Sequence, residues 1–210
     1  MTKGLLITFE GIDGSGKTTQ IKYFIKKCER ENIPVALFRE PGGTPIGEKI
    51  REILLSKSNS EMFAITELLL YSASRHQLCR ELIRPALESG KIVVCDRFYD
   101  STTAYQGYGR GIDLNFINML NRIAADNLVP DLTFIFDIPV AERLQRLGTR
   151  DLDRLEREEH NFQEKIRQGF LKIAAAEPNR VCLIDGTKTE ELVADEVWYK
   201  FNKIIRKMQI

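Results

Sequence analysis

The residues with the clearest chemical meaning lie in one short glycine-rich segment. It reads Gly11-Ile12-Asp13-Gly14-Ser15-Gly16-Lys17-Thr18. This order fits G-x-x-x-x-G-K-[ST], a pattern whose backbone N–H groups curl around phosphate because glycine tolerates the required angles. Lys17 can then reach the β- and γ-phosphates, and the Thr18 hydroxyl can hold Mg²⁺. The segment predicts binding of a nucleoside triphosphate.

The flanking sequence supplies the context that this motif requires. An apolar run at residues 4–10 predicts a buried strand before it, and Ile21, Phe24 and Ile25 follow it at helical spacing. Strand, glycine-rich turn and helix together favour a phosphate site. An ordinary glycine turn with an incidental lysine is the less favoured interpretation.

The rest of the chain alternates between strand-like apolar runs and amphipathic helical patterns. Further strands are predicted at residues 35–38, 92–95, 132–136 and 181–184. Helices are predicted from Pro45 with Ile46, Ile50, Ile53 and Leu54 on one face, at residues 61–88 with a kink near Pro85, from Asp113, around residues 162–173, and after a capping box of Thr187 and Glu190. This alternation predicts one three-layer α/β domain, residues 1–210, with a parallel sheet.

Polar residues follow several of the predicted strands. Arg39 and Glu40, Asp96 and Arg97, and Asp137 each come at a strand's carboxyl end. Ligands of such sheets bind beyond those ends. We therefore expect these side chains and the glycine-rich segment on one rim.

Composition limits the classes of function. The 210 residues are 43% apolar and 29% charged, with a formal net charge of +1. This balance argues against a protein that coats nucleic acid. No apolar run is long enough to span a membrane, and Glu10 and Asp13 interrupt any N-terminal signal core, so we expect a cytoplasmic location.

The cysteines and histidines do not predict a metal site. They lack C-x-x-C or ligand-like spacing, and we interpret all six as structural or incidental. They are Cys28, Cys79, Cys95, Cys182, His76 and His160.

Two missing motifs and the arginine content limit which classes of phosphate-binding protein fit the sequence. The chain lacks the guanine-reading N-K-x-D of GTPases and the LSGGQ signature of transporter ATPases. Phosphoryl transfer between two anionic substrates must overcome repulsion between their phosphates, and arginine neutralises that charge well. The candidates are Arg39, Arg51, Arg75, Arg97 and the cluster Arg143, Arg146, Arg150, Arg154 and Arg157. On charge alone, a solvated helix face is favoured for any single arginine of that cluster.

Several segments together resemble bacterial thymidylate kinases, in order and spacing, over essentially the whole chain. They are Phe9 to Gln20, Arg39-Glu40-Pro41-Gly42-Gly43-Thr44, Ser74-Arg75-His76-Gln77-Leu78, Asp96-Arg97, Ala104-Tyr105-Gln106-Gly107 with Gly109-Arg110-Gly111-Ile112-Asp113, and Leu152-Asp153-Arg154-Leu155-Glu156. The resemblance implies a P-loop nucleoside-monophosphate kinase with five parallel strands, flanking helices and a small lid at about residues 143–157. It implies transfer of a phosphoryl group from ATP to dTMP, with Mg²⁺ and without a covalent intermediate, usually by a homodimer.

The resemblance also assigns roles around the phosphates. Residues 11–18 would bind ATP, with Lys17 on the β- and γ-phosphates and Thr18 on Mg²⁺. Asp96 would help to organise metal and water, and Asp13 would lie near the sugar 3′-hydroxyl. Arg97 would clamp the dTMP phosphate.

Other positions would bind dTMP. They are Glu40, Arg51, Tyr71, Arg75, Thr102, Tyr105 and Gln106. Arg75 would bond thymine O4, Gln106 with Thr102 would read the N3 side, and Tyr105 would crowd a ribose 2′-hydroxyl.

Two positions depart from the family pattern. Tyr71 stands where a phenylalanine usually stacks on thymine, and periodicity alone would make it a core residue. The lid is slightly shorter than in related kinases. The family pattern therefore leaves the catalytic arginine of the lid open among Arg146, Arg150 and Arg154. Because Gly148 and Thr149 interrupt the helix, we expect Arg150 to close over the phosphates.

Two other functions stay open at this stage. One is a kinase for another monophosphate or for a deoxynucleoside. The other is a non-catalytic ATP-dependent switch.

Overall fold

Five parallel strands form the sheet, as predicted, each within two residues of its predicted bounds. The structure is a computed structural model that describes residues 4–148 and 153–208. The strands are β1 (Leu6–Glu10), β2 (Val35–Arg39), β3 (Ile92–Asp96), β4 (Leu132–Asp137) and β5 (Val181–Asp185), and they lie in the order β2-β3-β1-β4-β5.

Helices connect the strands and cover both faces of the sheet. They are α1 (Lys17–Arg30), α2 (Pro45–Leu55), α3 (Ala64–Leu78), α4 (Arg84–Glu88), α5 (Tyr99–Thr102), α6 (Leu114–Ala124), α7 (Val140–Leu147), α8 (His160–Ala176) and α9 (Glu190–Met208), with a short 3-10 turn at Lys57–Asn59. None of these described helices is long and apolar enough to cross a membrane.

Two helical segments contain π turns. The turn Cys79–Ile83 joins α3 to α4, so the predicted helix continues to Glu88 although it begins three residues later than predicted. Pro85 follows the π turn directly, in the first turn of α4. The second turn, Thr103–Gly109, extends α5. The sequence pattern predicts no element there.

Alternating strand residues build two apolar layers. Phe9 of β1 packs in a fully buried cluster with Phe24 of α1 and Phe201 of α9. Leu6 points to the other side and packs with Leu78 and Val93. The sheet is thus clamped on both faces, which fixes the loops at its carboxyl edge.

Two helix details differ from prediction. Thr187 does not cap α9, because its hydroxyl donates to Asp185 Oδ1 over 2.6 Å. Thr189 caps this helix instead, accepting from the N–H of Leu192. On α2, Leu54 is buried as predicted, whereas Ile46 and Ile53 of the same apolar face are exposed.

Candidate active site

A cavity of about 810 Å³ runs along the carboxyl edge of the sheet. Most of the predicted site residues line it: Asp13, Gly14, Ser15, Gly16, Lys17, Thr18, Glu40, Arg51, Tyr71, Arg75, Asp96, Arg97, Thr102, Tyr105 and Gln106. Gly11 and Ile12 are not among the described residues that line it, but their carbonyl groups accept hydrogen bonds from Lys17. Arg150 lies outside the described residues. Residues far apart in sequence therefore meet at the predicted rim.

The glycine-rich segment of residues 11–18, the P-loop, connects β1 to α1 and has the geometry of an anion nest. Gly14 and Gly16 have φ angles of +81° and +91°, which other residues rarely adopt. The hydroxyl Oγ of Ser15 is buried in this turn with no hydrogen-bond partner in the described part of the chain. A buried polar atom without a partner is costly, so this turn fits a phosphate ligand.

Lys17 is held in this turn by backbone carbonyls. Its ammonium donates to Gly11 O and Ile12 O, each over 2.9 Å. Burial, with the nearby Arg97 cation, lowers the pKa of Lys17 to about 8. A bound triphosphate would favour the charged form of this lysine.

Thr18 and Asp96 offer oxygen ligands at the same end of the cavity. The Thr18 hydroxyl lies 3.4 Å from Asp96 Oδ2. Within residues 4–148 and 153–208, no cluster of three acidic, histidine or cysteine side chains could hold a metal. Mg²⁺ needs no such cluster, because it binds through one or two protein oxygens, waters and substrate phosphates. The two residues fit that kind of site.

Arg97 lines the cavity and has an unusual backbone conformation. Its φ angle is +71°, a left-handed conformation that costs a non-glycine residue about 1–3 kcal/mol. Its guanidinium donates to Gly11 O over 3.0 Å and to Asp13 Oδ1 over 2.5 Å. Although burial opposes a charge there, Arg97 and Lys17 hold the pKa of Asp13 well below its usual range.

Glu10 holds the loop that carries Arg97, a role that the sequence did not reveal. Its carboxyl group accepts from Phe98 N over 2.6 Å and from Ser101 Oγ over 2.5 Å. Ser101 Oγ in turn accepts from Arg97 over 3.1 Å. Burial, followed by repulsion from Asp100, raises the pKa of Glu10 to about 8. Glu10 ends a buried strand, where strand periodicity gives no sign of these contacts.

Another part of the cavity is a polar pocket around Arg75. This guanidinium is 1% exposed and donates to Glu40 Oε2 over 2.7 Å. It also donates to the Thr102 hydroxyl over 2.9 Å. Glu40 Oε1 is buried without a hydrogen-bond partner among the residues described. The pocket therefore offers both donors and an unused acceptor.

Two tyrosines provide aromatic walls. Tyr71 lines the cavity and packs at the edge of the apolar cluster that contains Tyr105 and Phe170. The Tyr105 hydroxyl donates to Asp13 Oδ2 over 3.2 Å, and its ring lies 5.2 Å from the Arg97 guanidinium. Tyr105 therefore contacts both members of the Asp13–Arg97 pair.

The arginine cluster is divided among three places. α7 ends at Leu147, and Gly148 takes a φ angle of +58°, so the predicted helix break is confirmed. Arg143 is fully buried and donates to Glu156 O over 3.1 Å. Arg146 donates to Gly186 O over 2.8 Å beside the P-loop. Arg154 pairs with Glu67 over 2.6 Å, away from the P-loop.

The cavity also extends beyond the P-loop to a region that sequence analysis did not identify. Arg146, Gly186, Lys188, Thr189 and Glu190 line it there. They come from the loop after β5 and the start of α9, where no motif marks them. Only the position of that loop at the carboxyl edge of the sheet could have pointed to it.

Comparisons with known proteins agree with this geometry. The family model described as thymidylate kinase matches residues 9–197. A thymidylate kinase of Pelotomaculum thermopropionicum is 50% identical over 194 residues, which cover 91% of this chain and 89% of that protein. One of Thermoanaerobacter sp. (strain X514) is 48% identical, covering 88% of this chain and 90% of its own.

A solved structure shows the same fold. The crystal structure of thymidylate kinase from Ehrlichia chaffeensis superposes with a TM-score of 0.78 at 36% identity, covering 95% of this chain and 99% of that one. The sheet and flanking helices are therefore those of a P-loop nucleoside-monophosphate kinase. With its sequence matched over most of its length and its fold shared, the chain belongs to the thymidylate kinase family, in which dTMP is phosphorylated to dTDP.

Proposed function

We propose that this chain transfers the γ-phosphoryl group of ATP to dTMP, with Mg²⁺, and releases ADP and dTDP. One observation carries the proposal. The P-loop and the Arg75 pocket line one and the same cavity, and the paired Arg97 and Asp13 are also part of its lining. Two anionic substrates, one at the P-loop and one in the Arg75 pocket, would meet at Arg97.

At the donor end, the chain binds and orients the triphosphate. Backbone N–H groups of residues 11–18 surround the β-phosphate, and the Lys17 ammonium leaves its carbonyl partners to bind the β- and γ-phosphates. Thr18 and Asp96 would hold Mg²⁺, which when bound neutralises charge on the phosphate oxygens. The loop after β5 and Arg146 would hold the nucleoside of ATP.

At the acceptor end, the pocket orients dTMP. Tyr71 stacks on the base, Arg75 donates to O4, and Tyr105 with Asp13 contacts the sugar. Glu40 and Arg51 complete the lining. Arg97 places an oxygen of the dTMP phosphate in line with the γ-phosphorus. That oxygen forms the new P–O bond as the bond to the β-phosphate oxygen breaks.

The lid would supply the remaining charge. We assign residues 1–210 to a single kinase domain whose lid spans about residues 143–157, and Arg150 to the contact with the transferred group. The helix break at Gly148 supports a hinge there. Arg154 is held by Glu67, which makes it the less suitable candidate.

A homodimer is supported by apolar residues on neighbouring helices. α3 packs against both α2 and α6. These helices expose Ile46, Ile53, Ile65, Leu69, Met119 and Ile123. Since large exposed apolar surfaces mark interaction sites, a second copy of the chain is the proposed partner. A cytoplasmic location is supported by the four cysteines, none of which forms a disulfide in the described structure.

The test is product analysis with purified protein, ATP, Mg²⁺ and dTMP. We expect ADP and dTDP in equal amounts, and no product from Lys17→Met. Hydrolysis of ATP without dTDP formation would support a switch instead and would contradict the proposal.

A further inference from the structure

Glu67 of α3 is a buried carboxylate with an unusual set of partners. It is 0% exposed. Gln106 Nε2 donates to its Oε1 over 2.8 Å, and Arg154 Nη2 donates to its Oε2 over 2.6 Å. Arg110 reaches both oxygens over 3.2–3.3 Å. One carboxylate therefore joins α3, the π turn after α5 and the lid.

These partners keep Glu67 ionised. Burial alone would raise its pKa, but hydrogen bonds from Arg110, Gln106 and Arg154 lower it below the usual value. An ionised carboxylate can only accept hydrogen bonds. Every group that faces Glu67 must therefore present a donor.

This requirement decides which way the Gln106 amide points. An amide carries a donor and an acceptor on the same carbon, and it can otherwise turn over to suit either partner. With Nε2 committed to Glu67, Oε1 is the atom that Gln106 offers to a ligand in the cavity. Arg75, nearby in the pocket, offers only donors.

We propose that Glu67 is a positioning residue for base selection, which fixes the Gln106 amide so that the pocket accepts only a base with hydrogen on N3. The inference rests on the proposed function. Thymine has an acceptor at O4 and a donor at N3, which match Arg75 and Gln106 Oε1. Cytosine has the reverse pattern, an amino donor at the exocyclic position and an acceptor at N3.

The test compares kcat/KM for dTMP with kcat/KM for dCMP in Glu67→Gln. The neutral amide can accept or donate, so Gln106 is free to turn over. We expect the dTMP-to-dCMP ratio to fall about tenfold, the effect of one hydrogen bond, mainly through the KM for dTMP. The KM for ATP should stay within about twofold.

A double-mutant cycle separates positioning from general loosening of the fold. In a Gln106→Leu background, Glu67→Gln should change the ratio no further, because the group that it orients is gone. Arg110→Met is the matched control. It removes another partner of Glu67 but leaves Gln106 bound, so the ratio should not change.

Two results would overturn the inference while leaving the proposed function intact. These are an unchanged ratio in folded Glu67→Gln, and a full additional loss in the Gln106→Leu background. If Glu67→Gln does not fold, a double variant with Glu67→Gln and Arg154→Met removes one charge of each sign. Its dTMP-to-dCMP ratio is then compared with the ratio of the single variant Arg154→Met. A wild-type enzyme without preference for dTMP would instead contradict the proposed function, and this inference with it.

Discussion

Asp13 and Arg97 are joined by a 2.5 Å contact between Oδ1 and Nη2 that links the loop after β1 to the loop after β3. Arg97 also donates to Gly11 O, the first carbonyl of the P-loop. Its side chain is thus fixed before any substrate binds. Such preorganised charge stabilises a transition state without the cost of reorganising groups during the reaction.

Arg97→Met should therefore lower kcat by about a thousandfold, in the range reported for arginines that neutralise a transferred phosphoryl group. The KM for ATP should change little. Arg84→Met is the matched control, since Arg84 forms a 2.6 Å ion pair with Asp126 and does not line the described cavity. Steady-state kinetics decide the point, and an Arg97→Met enzyme within tenfold of wild-type kcat would contradict this role.

Glu10 should make the stability of the protein depend on pH. Burial raises its pKa to about 8 in the folded protein, from an ordinary value of 4.5. Between these values the unfolded chain releases a proton that the folded chain keeps. The free energy of unfolding therefore falls as pH rises, by at most about 1.4 kcal/mol per pH unit, and this contribution is lost above pH 8.

Glu10→Gln keeps a hydrogen-bond acceptor for Phe98 but cannot titrate. We expect its melting temperature to change less than that of the wild type between pH 5 and 8, with differences of several degrees. Parallel curves for the two proteins would show that Glu10 does not titrate in this range.

Lys17 should make nucleotide binding depend on pH above about 8. Because the free enzyme loses this charge above its pKa of about 8, ATP affinity should fall there by up to about tenfold per pH unit. Binding near pH 8 should also take up a proton. Calorimetry with a non-hydrolysable ATP analogue, in buffers of different ionisation enthalpy, measures both quantities.

Lys27→Met is the control for this measurement. Lys27 lies on α1 as well but pairs with Asp195. Proton uptake should persist in Lys27→Met and vanish in Lys17→Met. An affinity that stays constant from pH 7 to about 9.5 would rule out a titrating Lys17.

The lid prediction concerns Arg150. Arg150→Ala should lower kcat by at least about a hundredfold while the KM for ATP stays within a few-fold, as expected of a contact made only in the transition state. Arg122→Ala on α6 serves as the surface control. If Arg146→Ala or Arg154→Ala shows the loss and Arg150→Ala does not, the choice of Arg150 is wrong but the lid mechanism stands. If none of these variants shows it, the lid mechanism is wrong.

Arg143 shows how the charge pattern of the arginine cluster can mislead. Charge alone favours a solvated helix face for this residue, yet it is fully buried against the backbone of Glu156. Arg143→Ala should therefore act mainly on stability. Periodicity reports which side of a helix a residue occupies, but not which loop covers that side.

The local signals of the sequence predicted the scaffold well. Strand runs and the glycine pattern depend on neighbours in the chain. The anion nest formed by Gly14 and Gly16 could therefore be predicted without knowledge of the fold. The resemblance added the acceptor pocket around Arg75. In contrast, the contacts of Glu10 and Glu67 join residues 39 to 91 positions apart, which no periodicity encodes. The π turn that carries Tyr105 and Gln106 was not predicted for a similar reason, because tertiary contacts set its register.

The most direct test of the account is the wild-type kcat/KM over a panel of monophosphates: dTMP, dUMP, dCMP, dAMP and dGMP. We expect dTMP to be the best substrate and dCMP to be poorer by as much as about 10⁴-fold, because the donor of Arg75 would face the amino donor of cytosine. Equal rates with dTMP and dCMP, in protein that binds ATP normally, would contradict it.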